Sequence, residues 1–90
     1  MINAIILLNV VPARVNEVAE KLVSIPGVSE AYSVGGRFDI VAMVRARDID
    51  GISEVVTRQL LQIDGITSSE TLIAFRAVSG YDLERIFDLD

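Results

Sequence analysis

The sequence contains two similar segments, SIPGVSEA at positions 24–31 and QIDGITSS at positions 62–69. Aligning Gly27 with Gly65 sets the two copies 38 positions apart. The match continues upstream through apolar positions: Ala4 with Ala42, Ile6 with Val44, Val11 with Ile49, Val18 with Val56 and Leu22 with Leu60. Because 90 residues form a single domain, the repeat predicts two similar half-domains within one fold.

Each half has the pattern strand, helix, turn, strand. In the first half, the aliphatic run Ile2–Val10 predicts a strand. Pro12 suits the first turn of a helix, because its missing N–H would be unpaired there anyway, and helical spacing of apolar residues continues to Leu22. Pro26-Gly27 ends this helix, and a second strand is predicted over Val28–Val34.

The second half repeats this plan. A strand is predicted over Phe38–Ala46, and Asp48 is a good N-cap for the helix that follows. The apolar stripe of that helix consists of Ile52, Val55, Val56, Leu60 and Ile63. Asp64-Gly65 ends the helix, and the last strand is predicted over Ser68–Val78.

The order βαββαβ predicts a ferredoxin-like α+β fold, a four-stranded antiparallel sheet with two helices on one face. Gly35-Gly36 is predicted to join the halves as a tight hairpin, since glycine supplies the positive φ that such turns need. We expect residues 1–79 to form this domain and residues 80–90 to form a tail, either a short helix or an interface arm. The repeated glycines are then interpreted as structural corners.

Both helices are expected on one side of the sheet, so the other side, here called the open face, has no cover. A sheet with one solvated face should alternate apolar and polar residues along its strands, but the two central strands are apolar on both sides. Burying such side chains contributes about 1.5–3 kcal/mol each, so the pattern predicts a homodimer or higher homo-oligomer formed through this face. The predicted interface comprises Ile5, Leu7, Val41, Met43, Ile73 and Phe75. The alternative is that Leu83, Ile86 and Phe87 of the tail fold back over it.

The composition argues against most enzyme chemistry and against nucleic acid. The chain has no cysteine and no histidine, which removes thiolate nucleophiles, imidazole bases and zinc sites of the Cys/His kind. Its 8 basic and 13 acidic residues give a net charge of −5, which does not suit phosphate binding. No secretory leader or membrane-spanning run is recognisable. We therefore predict a cytoplasmic non-enzyme with no catalytic residues, metal, cofactor, direct nucleic-acid contact or membrane contact.

The stretch YSVGGRFDIVAMV at positions 32–44 carries a family resemblance. A strand ending in valine meets a glycine-containing turn, and an aromatic residue and an aspartate open the next strand; here these are Val34, Gly36, Phe38 and Asp39. Together with IPGV before the second strand and SETLIAFRAV at the last strand, the chain resembles the C-terminal half of the Lrp/AsnC family of transcriptional regulators. The resemblance runs through Val78.

The resemblance implies an amino-acid-responsive effector module, often called the RAM domain. Such modules dimerise through their sheets, assemble into rings of dimers and bind small effectors between subunits near the hairpin. Because the sequence begins directly with the first strand, we expect the stand-alone form, without the family's helix-turn-helix. Its partners would be further copies of itself, an amino acid or similar effector, and full-length Lrp/AsnC-type regulators.

The candidate ligand site is the hairpin Gly35, Gly36, Arg37, Phe38 and Asp39. An amino acid needs a cationic or N–H-rich partner for its carboxylate and an acceptor for its ammonium, and Arg37, the glycine amides and Asp39 could supply both. In the alternative interpretation, Asp39 accepts backbone N–H bonds that hold the turn, and Arg37 points into water.

Several other functions share this fold. An ACT-like regulatory subunit of an amino-acid-metabolism enzyme is one alternative, and a small dimeric α+β-barrel enzyme is another, although the lack of histidine counts against the enzyme. An RNA-binding sheet of the RRM type needs aromatic residues on a basic face, which this acidic chain does not have. A purely structural partner of full-length regulators would use the same surface as a sensor.

Overall fold

The computed structural model describes residues 1–78 and Gly80. The elements in chain order are β1 (Ile2–Val10), α1 (Val15–Val23), β2 (Val28–Ser33), β3 (Ile40–Ala46), α2 (Ile49–Glu54) and β4 (Ile66–Ala74). The four strands form one antiparallel sheet in the order β2-β3-β1-β4. Helix α1 packs against β2 and β3, and helix α2 packs against β3 and β1. The predicted ferredoxin-like βαββαβ arrangement is confirmed.

The core lies between the sheet and the helices. Along β1 the burial alternates, so that every second side chain from Ala4 to Val10 faces the helices and the others lie on the open face, as the pleat of a strand requires. The residues that are completely buried are Ala4, Ile6, Leu8, Val18, Leu22, Ile40, Ala42, Val44 and Leu60. Four of the matched pairs of the sequence repeat contribute to this core. This explains why the two halves of the sequence match best at apolar positions.

Helix α1 begins after a 3₁₀ turn, Pro12–Arg14, that has proline at its start. Glu17 and Lys21 form an ion pair one helical turn apart, with Nζ and Oε1 separated by 3.2 Å. Arg14 adds two contacts, to Glu17 at 3.0 Å and to Asp64 at 2.8 Å. The second contact connects α1 to the corner before β4.

Helix α2 begins as the sequence predicts and then changes its winding. The Asp48 carboxylate accepts a hydrogen bond from the Gly51 N–H at 2.8 Å, so the predicted N-cap is confirmed. The α-helical turns are followed by a five-residue π-helical segment, Val55–Gln59, and a 3₁₀ turn, Leu60–Gln62. The predicted helix is therefore present, but its second half is π-helical and 3₁₀ rather than α-helical. A π segment accommodates an extra residue. Here it allows the consecutive residues Val55 and Val56 both to pack against the core.

The two repeated glycines form corners that each contact the other half of the molecule. Gly27 and Gly65 have φ of 99° and 105°, a region that glycine alone adopts without strain. A Cβ on Gly27 would lie 3.3 Å from Val55 of the second half, and one on Gly65 would lie 3.3 Å from Val18 of the first. The conformation and the close packing both require glycine, which confirms the structural interpretation of the repeat.

The edge strand β4 differs from its predicted bounds. It begins at Ile66 and ends at Ala74, whereas the sequence indicated Ser68–Val78. The predicted tail, residues 80–90, lies outside the described residues apart from Gly80. Within the described part of the chain, no helix has the length and apolarity that a membrane crossing requires.

Candidate functional site

The hairpin between β2 and β3 is a loop rather than the tight two-residue turn that the sequence predicted. The strands end at Ser33 and resume at Ile40, and the Val34 N–H closes the loop by donating to the Asp39 carbonyl at 3.0 Å. Only Gly36 in this loop has a positive φ, of 148°. The loop also reaches the end of β1, where Asp39 makes two further hydrogen bonds.

Asp39 continues the hydrogen bonding between β1 and β3 beyond their last pair, Leu8 with Ile40. Its N–H donates to the Leu8 carbonyl at 2.8 Å. Its carboxylate oxygen Oδ2 accepts from the N–H of Val10 at 2.8 Å, in a partly buried bond. The side chain thus replaces the carbonyl that a longer β3 would have offered. This geometry supports the structural interpretation of Asp39, and the described contacts leave only Oδ1 for a ligand.

The remaining predicted site residues lie together in the same loop. The Arg37 side chain is exposed, and it makes no ion pair with the described residues. Gly35 and Gly36 are exposed, and Phe38 is half-buried at the base of the loop. The structure therefore brings to a single end of the sheet a guanidinium, exposed glycine backbone and one carboxylate oxygen that accepts no hydrogen bond from the described residues.

Asn9 is a polar residue of this region that the sequence analysis did not include. Its Nδ2 donates to the carbonyl of Arg37 at 3.4 Å, a long bond. Its Oδ1 is buried and has no hydrogen-bond partner among the described atoms. A buried acceptor without a partner is costly and rare. The signal was present in the sequence, because Asn9 is one of two asparagines in an otherwise apolar strand.

The open face carries the central apolar residues that the sequence placed there. Ile5 lies opposite Met43 and Leu7 opposite Val41, and all four side chains are partly exposed. On β4, the residue that joins them is Leu72, which pairs with Ile5 and is 43% exposed. No described residue of the helices covers this face.

Two residues predicted for the open face do not lie on it. Ile73 pairs with Ala4 and packs against the core on the helix side. Phe75 follows the end of β4 and is fully exposed. The prediction failed because the run LIAF has no polar residue to reveal its alternation, and a one-residue change of register exchanges the two faces of a strand.

Comparison with known proteins agrees with this geometry. A family model described as the Lrp/AsnC ligand binding domain matches residues 3–82. The chain belongs to the Lrp/AsnC family. The resemblance inferred from the hairpin motif is thereby confirmed, and so is the assignment to the family's ligand-binding half.

The curated relatives are longer transcriptional regulators. An uncharacterized HTH-type transcriptional regulator of Pyrococcus abyssi is 34% identical over 84 residues, which cover 93% of this chain and 52% of that protein. One from Pyrococcus furiosus is 37% identical over 59 residues, covering 66% of this chain and 39% of that protein. This Lrp/AsnC domain thus spans about half, or less, of the length of these relatives.

Among solved structures, a protein of Thermus thermophilus has a TM-score of 0.82 with this chain and is 40% identical to it. The matched region covers 88% of this chain and 99% of that one. This Lrp/AsnC chain therefore shares its fold, at nearly full length, with a protein of similar size.

Proposed function

We propose that this Lrp/AsnC domain is a small-molecule sensing and oligomerisation module that acts through assembly, and that it is not an enzyme. The observation that carries the proposal is the match of the Lrp/AsnC ligand binding domain to residues 3–82. The regulatory output would be on transcription, because the curated relatives are transcriptional regulators.

The apolar open face supports the oligomerisation part of the proposal. Ile5, Leu7, Val41, Met43 and Leu72 share this face. An exposed apolar patch of this kind destabilises a monomer and marks an interaction surface. A second copy stacked sheet on sheet would bury it, giving a homodimer from which a ring of dimers could be built.

The hairpin supports the sensing part. A ligand carboxylate would bind to Arg37 and the exposed glycine amides. A ligand ammonium would bind to Oδ1 of Asp39 and Oδ1 of Asn9, neither of which has a hydrogen-bond partner among the described residues. Two proteins of this fold, from Neisseria meningitidis and M. tuberculosis, are known as complexes with L-methionine. At 16% and 18% identity that likeness establishes the fold alone, so methionine is a first probe rather than an assigned effector.

The oligomer is tested by light scattering on Val41→Lys, with Val23→Lys as the matched control. Val23 is 50% exposed on α1, away from the open face. The wild type and Val23→Lys should both have the mass of a dimer or larger assembly. Val41→Lys should be monomeric or insoluble, because it places a charge in the centre of the interface. A soluble Val41→Lys of unchanged mass would contradict the interface.

The sensing function is tested by thermal denaturation with each of the twenty proteinogenic amino acids. A ligand that binds the folded assembly stabilises it by mass action, by about 2.7 kcal/mol at a hundred times the dissociation constant. We expect at least one amino acid to raise the melting temperature with saturation. A flat response to all twenty would contradict the proposal.

We also expect the domain itself not to bind DNA, because its net charge is −5. Titration of labelled duplex at low salt, where non-specific binding is strongest, checks this expectation. Micromolar affinity there would contradict it.

A further inference from the structure

An apolar groove lies on the helix side of the sheet, between α2 with its π segment and the edge strand β4. Ile49, Ile52 and Val56 line one wall, and Thr71 and Ile73 of β4 line the other. Its volume is about 250 Å³, smaller than the roughly 300–1,000 Å³ of pockets that hold drug-sized ligands. None of the described residues that line it is charged. The groove therefore suits apolar side chains rather than a cofactor or a charged metabolite.

The groove exists because the two helices leave the edge strand uncovered. They pack against β2, β3 and β1, whereas the side chains of β4 are exposed throughout Thr67–Leu72. Thr71 pairs with Ile6 and Ile73 pairs with Ala4. Because Ile6 and Ala4 are completely buried under the helices, their partners on β4 also face the helix side. The helix layer thus ends before the sheet does.

The floor of the groove is continuous with the hydrophobic core. Ile52 and Val56 are buried in that core, and Ile73 packs against it. Ile49, on the first turn of α2, is 60% exposed at the rim. An apolar side chain placed in the groove would cover this surface and extend the existing core, which is favourable in proportion to the apolar area removed from water.

The chain itself carries an apolar segment that follows directly after this groove. Ile73 lines the groove, and β4 ends one residue later, at Ala74. Leu83 is nine positions beyond Ala74, and nine residues of extended chain span up to about 30 Å. The tail, residues 80–90, is therefore long enough to return to a groove that begins where β4 ends.

The sequence of the tail suits an apolar groove. Leu83, Ile86 and Phe87 recur at the spacing of one helical face, with Glu84 and Asp88 on the opposite side. The family match ends at residue 82, so the three apolar residues lie beyond the part of the chain that the family model describes. A function for them is then a property of this chain in addition to those that family membership implies.

We propose that the tail docks into the groove of its own chain and completes the helix layer over β4. Leu83, Ile86 and Phe87 enter the groove and cover its exposed apolar rim. The short connection to β4 gives the tail an effective concentration on the order of millimolar at the groove, so individually weak contacts are sufficient. Because the lining is uncharged, added salt should not release the tail.

Docking on the helix side has a consequence for the open face. A tail held in the groove does not cover that face, which stays available to a second copy. The inference needs only one protomer, so a loss of oligomerisation or of the amino-acid response would leave it intact. The tail and the proposed dimer are thus tested separately.

The test uses tryptophan fluorescence of the whole chain. The sequence has no tryptophan, so Phe87→Trp introduces a single fluorophore within the apolar pattern of the tail. We expect its emission to be shifted to the blue and protected from acrylamide, because docking removes the indole ring from water. Emission and quenching like those of tryptophan in water would overturn the inference.

A second measurement keeps Phe87. In the unchanged protein, nuclear Overhauser effects should connect the Phe87 ring with the methyl groups of Ile73 and Val56. Effects to Leu7 or Met43 of the open face in their place would overturn the inference.

Two adjacent positions of β4 distinguish the two sides of the sheet. Thr71 lines the groove, Leu72 lies on the open face, and both side chains are exposed. In the Phe87→Trp background, Thr71→Arg should abolish the blue shift because it fills the groove, and Leu72→Arg should preserve it. Ser69→Arg is the matched control, because Ser69 faces the same side as Thr71 but lies outside the groove.

The opposite results identify other locations for the tail. Loss of the blue shift in Leu72→Arg but not in Thr71→Arg would place the tail on the open face, and it would contradict the proposed dimer interface as well. Equal loss in Ser69→Arg and Thr71→Arg would show that the groove is not the binding site. A red shift on roughly hundredfold dilution would show that the tail docks on another copy, which would overturn docking within one chain.

Discussion

Asp39 hydrogen-bonds to the start of its own loop and to the end of β1. Replacing it therefore tests whether its function is structural or ligand-binding. Its carboxylate accepts the Val10 N–H at 2.8 Å, and Val10 is only 4% exposed. Asp39→Ala would leave that N–H buried without a partner. Asp39→Asn keeps an acceptor oxygen of similar reach and removes only the charge.

The expected magnitudes follow from this difference. Leaving a buried donor without a partner costs about 1–3 kcal/mol, so Asp39→Ala should lower the free energy of unfolding by that amount. For a domain of this size each kcal/mol lowers the melting temperature by about 4–8 °C. Asp39→Asn changes a charged hydrogen bond into a neutral one, which should cost about 1 kcal/mol.

Urea denaturation followed by circular dichroism measures the global change, and amide hydrogen exchange of Val10 measures the local one. Exchange at Val10 should be about 5–150-fold faster in Asp39→Ala and no more than about 5-fold faster in Asp39→Asn. Glu20→Ala, which removes an exposed carboxylate from α1, is the control and should change neither quantity. Wild-type stability and wild-type Val10 protection in Asp39→Ala would refute this reasoning.

The same variant tests the hairpin as a ligand site. Because Oδ2 is occupied by Val10, the effector would use Oδ1 of Asp39. Asp39→Asn should then weaken the amino-acid response about 10–100-fold, the value for a hydrogen bond to a charged group. An undiminished response would place the effector elsewhere.

Three further outcomes are expected. Gly51→Ala should destabilise the fold in urea although alanine favours helices by about 1 kcal/mol, because its Cβ would lie 2.9 Å from Cβ of Ala46; a more stable variant would refute this. The Arg14 hydrogen bond, with help from Lys21, lowers the pKa of Glu17 from 4.5 to about 2, so its stabilisation is complete above pH 4.5 and is lost as the pH falls towards 2. Arg14→Gln should flatten the decline of the urea midpoint in that window, and an unchanged profile would contradict the assignment. Asn9→Leu removes a buried acceptor that has no partner among the described atoms, so the ligand-free protein should melt no lower than wild type while its response to amino acids falls; marked destabilisation would show that Asn9 is structural.

The sequence predicted those features that depend on local pattern. The bounds of β1 are as predicted. The cap at Asp48 was recognisable because aspartate is a preferred N-cap residue and here precedes an apolar helical stripe. The corner glycines were recognisable because the repeat aligned them.

Features that depend on distant residues were predicted less well. The run around Ile73 is apolar without interruption, so its face is set only by pairing with β1, across a shift of register at Asn9 and Val10. The π segment that follows α2 leaves the apolar stripe intact, so the stripe in the sequence does not show that the winding changes there. Of the candidate hairpin site, the residue types were predicted, but the use of one Asp39 oxygen by Val10 depends on where β1 ends.

The strand order has a consequence for how the chain acquires its structure. β1 lies between β3 and β4, and β3 lies between β1 and β2, so neither half of the repeat contains two adjacent strands. Residues 1–39 can therefore form no strand ladder as a ribosome synthesises them, and the first pairing must wait until β3 has been made. Such non-local pairing slows folding. It also makes the two halves mutually dependent, so that fragments divided within the 34–39 loop should be unfolded apart and should form the sheet only when mixed.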